Sequence, residues 1–368
     1  MPQQQSFSFS QQTWKRLKKN KGALFGLFII SIAVFAALFG YLIAPDNSPN
    51  ADLQTVEIQA KRPGYTQQFL KIPENKYWGG TWIDHFLNGK KVHARYIPIT
   101  GYAIRNDSLF INKFIDEDTA VVQAFAFNQL TRDKPENFIQ QNIITKKYWL
   151  GTDKFGRDIL SRLIIGTRVS LAVGLIAVLI ALSIGILLGA VAGYYKGKTD
   201  AVIMWLVNIT WSIPTLLLVF AITMALGKGF WQIFIAVGLT MWVPVARLVR
   251  GQVLAIKELE YVTAAKALGF SNSRIIGRHI IPNILGPVLV LAASTFATAI
   301  IVEAGLSFLG IGVQPPQPSW GLMIKENYNF LITNNPMLAL VPGFAIMLLV
   351  LAFNLLGNGL RDAVDVKS

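Results

Sequence analysis

The chain has 368 residues, of which 53% are hydrophobic and only 15% charged, with a mean hydropathy of +0.45. Soluble domains carry about 25% charged residues, so the composition excludes a disordered tail, a disulfide scaffold and an ordinary soluble enzyme. It leaves a polytopic membrane protein. Cysteine is absent, and Lys plus Arg exceed Asp plus Glu by 34 to 20. In so apolar a chain that excess marks the loops on one side of a membrane rather than a nucleic-acid surface.

About 20 helical residues cross the ~30 Å of hydrocarbon in a bilayer. Residues 1–22 form a basic N-terminus with Lys15, Arg16, Lys18, Lys19 and Lys21, and the uncharged run 23–44 is the first transmembrane helix. That run is longer than the core of a signal peptide and no A-x-A site follows it, so it reads as an uncleaved anchor. Residues 45–149 mix both charges with many aromatics, and the stretches 93–104 and 119–127 read as short strands bounded by Gly, Asn and Asp. They predict a small extracytoplasmic insert of α+β character. Residues 150–168 interleave Phe155, Ile159, Leu160, Leu163 and Ile164 with Arg157, Asp158, Arg162 and Arg168. This pattern predicts an amphipathic helix lying at the outer interface.

Residues 169–360 form the core, with five further spans at 169–195, 201–226, 230–246, 284–313 and 337–360. The fold class is thus an all-α polytopic membrane protein of six transmembrane helices. Gly185, Gly189 and Gly193 are spaced four apart and predict a face for close helix packing. Pro214 should kink the third span beside Asn208, Thr210 and Ser212, polar residues that either line a pathway or satisfy freed backbone carbonyls. Glu303 is the acidic residue within a span, costly there unless paired, protonated or wet. The basic flanks place the N-terminus, residues 247–283 and the C-terminus 361–368 in the cytoplasm.

Catalytic chemistry is missing from this pattern. No span contains His, so a Ser–His hydrolase lacks its base, and His85 and His93 stand without a metal-ligand pattern. No metal is expected. G-x-x-x-x-G-K-[ST] is absent as well, so no nucleotide is bound through a P-loop. The stretch 258–282 carries the most information. Its first half is an Ala-rich helix that Gly269 stops with a left-handed cap, after which Ser271 caps a second short helix that Pro282 ends. Such a helix–turn–helix suits a groove on a partner protein, or equally an ordinary surface loop joining two spans.

Four stretches carry a resemblance. Thr263, Ala264, Ala265, Gly269, His279, Ile280, Ile281 and Pro282 are spaced as in the EAA loop of ABC importer permeases. LGTDKFGRDILSRLIIGTRVSL at 150–171, EAGLSFLGIGVQPPQPSWG at 303–321 and NLLGNGLRD at 354–362 resemble further segments of the dipeptide/oligopeptide/nickel permeases, of the "C" type within the permease pair. Thr263 stands where the loop usually has Glu, His279 where it usually has Ile, and Asn358 replaces a more familiar Asp. The insert at 45–149 is longer than usual and is similar to the microcin/peptide branch.

The resemblance implies a bacterial inner-membrane permease subunit that pairs with a second, homologous permease. Two ATPase subunits or domains would bind ATP and Mg, leaving no cofactor on this chain, and a periplasmic binding protein would deliver a peptide-like solute. Thr263, Ala264, Ala265, Gly269, Ser271, Arg274, Arg278, Ile281 and Pro282 become the ATPase-coupling loop, in which Arg274 and Arg278 either pair with acids on the ATPase or form a solvated basic face that meets anionic lipid. Arg157, Asp158, Arg162 and Arg168 become an outer gate or binding-protein contact, with a lipid anchor as the competing reading. Asn208, Thr210, Ser212, Pro214 and Glu303 become candidates for the translocation path. The alternative is a self-contained ion-coupled carrier or a membrane sensor; nucleic acid is not an expected partner.

Overall fold

The computed structural model describes residues 9–74, 81–91, 94–131, 134–227, 229–332 and 335–364; His93 and Lys228 fall outside them. The chain divides into two compact units. One comprises Met1–Val34, Ser170–Gln314 and Ala345–Ser368, the other Phe35–Val169 and Pro315–Phe344. Among the described residues, five helices are long and apolar enough to cross a bilayer: Lys21–Ile43, Ile159–Tyr195, Phe230–Ile256, Asn272–Phe308 and Met337–Val364. The pair Gly197–Ser212 and Thr215–Leu226, bent by 96° at a short break, passes the same test only when taken together, as a broken span or a re-entrant loop.

That break is sharper than the expected kink. Pro214 has no amide hydrogen and its ring forces Ile213 into extended backbone (φ −92°, ψ 127°), so no helical bond crosses the junction. The Thr210 hydroxyl donates to Leu206 O at 2.9 Å and that of Ser212 to Ile209 O at 2.8 Å, giving carbonyls beside the break an additional donor.

In the first unit the glycine stripe does what its spacing predicts. A Cβ at Gly185 would lie 2.5 Å from Val245 Cβ, one at Gly189 2.5 Å from Ala246 O, and one at Gly193 2.9 Å from Arg250 O. The Ile159–Tyr195 helix therefore meets the Trp242–Ile256 helix backbone to backbone, one glycine per turn. The fourth span runs on to Ile256 instead of ending at 246. Pro244 is tolerated because it falls in the first turn after a break at Met241 (φ −94°, ψ 2°), where amides need no helical partner. Residues 247–256 are thus helix, not loop. Asn20 joins the first and last spans, accepting from Ala23 N at 3.0 Å and donating to Asp362 Oδ2 at 3.0 Å.

The second unit holds the sheet. Strands β1 (Tyr65–Pro73), β2 (Ala94–Arg105), β3 (Ser108–Phe114), β4 (Ala120–Ala126) and β5 (Ile143–Tyr148) pair antiparallel in the order β4-β3-β2-β1-β5. The two expected strands are β2 and β4. One side of the sheet buries Leu70, Ile97, Ile99, Leu109 and Ile111 with Phe127, Phe138 and Ile139 from two short helices. A second cluster joins Phe69, Phe114 and Tyr148 to Ile58. Asn106 and Asp107, both at positive φ, make the two-residue turn between β2 and β3, as type I′ geometry requires. Residues 150–158 form an irregular turn bridged from Thr152 to Asp158, and Ile159 opens the long helix directly. No separate amphipathic helix spans 150–168.

The stripe sets a stability test. Gly189→Leu cannot fit against Ala246 O without parting the helices, so it should lower stability by about 1–3 kcal/mol, the usual cost of overpacking. Thermal unfolding in detergent measures this, with Gly251→Ala, where a Cβ meets open space in a helix interior, as the control that does not lose stability.

Candidate functional site

The Glu260–Ala267 helix ends in a Schellman motif. Gly269 sits at φ +77°, its amide donating to Lys266 O at 3.0 Å while Phe270 N donates to Ala265 O at 3.2 Å. Val262 and Ala265 on one side of the turn, and Ile275 and Ile280 beyond it, are buried against Ala190, Tyr194, Val249 and Val253. The opposite face is open. Thr263, Ala264, Gly269, Ser271, Arg274 and Arg278 are exposed there, and Leu268 is 74% exposed at the tip.

Two local expectations need correction. Ser271 occupies the first cap position, but its hydroxyl faces Ser273 Oγ at 3.4 Å and does not cap; backbone bonding from Ile275 N to Ser271 O starts the helix. Pro282 does not end that helix. Helix Asn272–Phe308 is continuous because Ile275–Ile280 winds as a π turn, with Ile281 N reaching Ile276 O, and Pro282 enters just where the register changes. Proline lacks an amide hydrogen, so it fits where one donor is superfluous.

Polar contacts brace the turn. Lys257 Nζ donates to Tyr194 O at 2.6 Å, Tyr194 OH to Asn272 Oδ1 at 2.8 Å, and Lys196 pairs with Glu258 at 2.9 Å. The Arg274 guanidinium lies 4.6 Å over the Phe270 ring, which stacks on His279 at 5.9 Å. This holds Arg274 extended along the exposed surface.

The path candidates separate. The break at Pro214 opens a cavity of about 330 Å³ lined by Thr210, Trp211, Pro214, Thr240, Pro244 and Thr298. Asn208 Oδ1 accepts from Arg247 Nη2 at 3.0 Å, and that guanidinium lies 4.4 Å from the Trp211 ring centre. Ser212 is committed to its own backbone. Glu303 is not a lining residue: it is fully buried, and its carboxylate accepts from Ser307 Oγ at 2.7 Å one helical turn away. Ser307 Oγ in turn accepts from Val313 N at 3.1 Å, which clasps the chain reversal after the helix. A larger cavity of about 650 Å³ is lined by Leu248, Gln252, Pro287, Ser294 and Arg361. Of these, Arg361 lies in the family-like segment 354–362, whereas nothing in the local pattern sets Gln252 apart.

The arginines assigned to an outer gate are interior. Arg157 is 2% exposed; its Nε donates to Asp153 at 2.7 Å, Nη1 to Asp52 at 3.0 Å and Nη2 to Glu326 at 2.6 Å. Arg162, 1% exposed, reaches Glu326 at 3.2 Å. Two guanidiniums are thus matched by three carboxylates, which is what makes their burial tolerable. Burial opposes it, yet Asp153 and Glu326 hold the Arg157 guanidinium above its ordinary pKa. Asp158 is buried as well, accepting from Ser161 N at 2.8 Å and from the Ser161 hydroxyl; burial pushes its pKa up against those bonds. Arg168 is half-buried, donating to Leu87 O at 2.8 Å over the Tyr41 ring. An exposed amphipathic face would leave these groups in water; here they staple a folded domain. Among the described residues no cluster of three or more His, Asp or Glu is placed to hold a metal ion.

Comparison with known proteins adds the relatives. The profile of the binding-protein-dependent transport system inner membrane component family matches residues 185–367, and that of the N-terminal TM domain of oligopeptide transport permease C matches residues 8–57. A dipeptide transport system permease protein of Alkalihalophilus pseudofirmus is 39% identical over 296 residues, 80% of this chain and 93% of its own. A glutathione transport system permease protein of Pectobacterium atrosepticum is 43% identical over 220 residues, 60% of this chain and 73% of its own. An oligopeptide transport system permease protein of Bacillus subtilis is 41% identical over 240 residues, 65% and 76% respectively.

The buried network yields two expectations. Arg157→Ala leaves three carboxylates to Arg162 alone and should cost about 3–5 kcal/mol in thermal or denaturant unfolding, whereas Arg168→Ala should cost far less. For Asp158 the raised folded pKa means its protonated form is favoured by folding. That contribution is present below the ordinary carboxylate value of about 3.9 and is lost as pH rises through the raised one. Relative to Asp158→Asn, the parent should therefore lose stability as pH rises from about 4 through the raised value, read from paired melting curves.

Proposed function

The chain belongs to the family of binding-protein-dependent transport system inner membrane components, and on that premise we propose that it forms one half of the pathway of an ATP-driven peptide importer. It is a multi-pass membrane permease. The second half is a homologous permease, two ATPase subunits or domains supply ATP and Mg, and a binding protein delivers the solute. Hydrolysis takes place on those partners. Peptides or peptide-like molecules are the proposed cargo because the relatives carry dipeptide, glutathione and oligopeptide transport names.

One observation carries the coupling role: a turn presenting Leu268 outward and seated inward on Val262, Ala265, Ile275 and Ile280. ATPase closure would push on the exposed tip. Since the inner face is packed into the ends of two spans, the push moves those helices as a body rather than deforming the loop. The basic flanks put this turn, with both termini, on the cytoplasmic side, where ATP is available. Solute would then pass by alternating access along a path that includes the cleft at Pro214. A self-contained ion-coupled carrier is a weaker reading, because the carboxylate of Glu303 is engaged by Ser307.

Leu268→Asp tests the proposal. The side chain is exposed, so stability should not change, but a charge at the tip should strip the ATPase subunits during co-purification and abolish uptake in cells. Uptake by the purified chain alone, driven by a proton gradient, would favour the carrier instead.

A further inference from the structure

We infer that the short helix Trp82–Asn88 of the insert is a lipid-interface anchor, lying in the bilayer surface beside the end of the first span. Its apolar side chains have no protein cover among the described residues: Trp82 is 70% exposed, Ile83 60% and Leu87 50%. Isolated exposed apolar residues are ordinary, but here three lie on one short helix with Trp82 stacked on Phe86 at 5.6 Å.

The neighbourhood of that helix identifies the occupant. Phe86 meets Phe39 of the first span edge-on at 6.0 Å. The same stretch of that span exposes Phe35, Leu38 and Leu42, the apolar kind of surface that a membrane helix turns to hydrocarbon. The apolar face of the short helix therefore continues the lipid-facing face of a membrane helix. Its placement is fixed by several ties. Lys90 N donates to Asn47 O at 2.8 Å, Arg168 Nη1 donates to Leu87 O at 2.8 Å, and Gly89, at φ +81°, packs so closely that a Cβ would lie 2.8 Å from the Tyr41 ring and from Asn47 O.

Depth agrees as well. Phe39 lies four residues before the end of the span at Ile43, or about 6 Å along the axis at 1.5 Å per residue. That is the level at which tryptophan and interfacial helices settle in a bilayer. Charge is sorted accordingly. Asp84 is turned onto Thr81, whose amide and hydroxyl bond it at 3.3 and 2.8 Å, while the exposed Lys90 and Lys91 follow the helix and suit phosphate headgroups. A lipid surface accounts for the apolar face and for the lysines together; a soluble protein partner would not require the continuity with Phe35 and Leu42.

The absence of cysteine makes the test direct. Nitroxide labels on Ile83→Cys and Leu87→Cys would be read in the full chain, purified with its associated subunits, in nanodiscs of phosphatidylethanolamine and phosphatidylglycerol. Val122→Cys on β4 and Phe28→Cys in the first span, at exposed positions, serve as water and lipid references. The accessibility ratio of oxygen to a water-soluble nickel chelate should be several-fold higher at 83 and 87 than at 122, approaching that at 28. A ratio equal to that at 122 would place the helix in water and overturn the inference. Exclusion of both reagents would overturn it too, by showing that protein covers the face.

Discussion

The arrangement of this permease around residues 260–280 depends on one apolar seat. Val262, Ala265, Ile275 and Ile280 press a short turn into Val249, Val253 and Tyr194 at the ends of two spans. The seat exists because Gly185, Gly189 and Gly193 let those spans approach to backbone distance. A larger residue on that stripe would separate the helices and leave the turn without a floor. The hydrogen bonds of the turn are closed within it, through Gly269 and Phe270, so its outer tip is free to meet a partner.

The spans also show how irregular backbone is tolerated in hydrocarbon. Every amide and carbonyl there needs an internal partner. Interruptions meet that demand differently: Pro214 breaks a span beside carbonyls that hydroxyls reach, and Met241 lets Pro244 restart a helix, while outside the hydrocarbon a π turn admits Pro282. Two of these lie at the cavity around Trp211, so the departures from regular helix fall where the bundle has room to be functional. Glu303 follows the same rule from the other direction. A carboxylate in a span is affordable when a serine one turn away and the backbone beyond it complete the circuit.

What was legible in the sequence is what depends on short spacing. Glycines four apart map onto successive helix turns, and an Ala-rich run stopped by Gly269 maps onto a capped helix; both needed only local geometry. Arg157 and Arg162 were misplaced for a related reason. Their spacing fits an amphipathic surface equally well, while the carboxylates that take them inside, Asp52 and Glu326, are 105 and 169 residues away from Arg157. Strands β2 and β4 showed as apolar runs between turn residues, but β5, IITKKY, is half polar, and its place beside β1 comes from pairing. Whether a proline kinks or breaks a span is not legible in its spacing: the residue before it can stay helical or, as Ile213 does, turn extended.

The most direct measurement of the central claim is amide hydrogen exchange across residues 263–282, compared between the chain alone and the chain assembled with its ATPase subunits. The account predicts that assembly slows exchange at the tip, residues 268–274, while the buried side of the turn stays protected in both. Unchanged exchange at the tip, with new protection elsewhere on the chain, would contradict it.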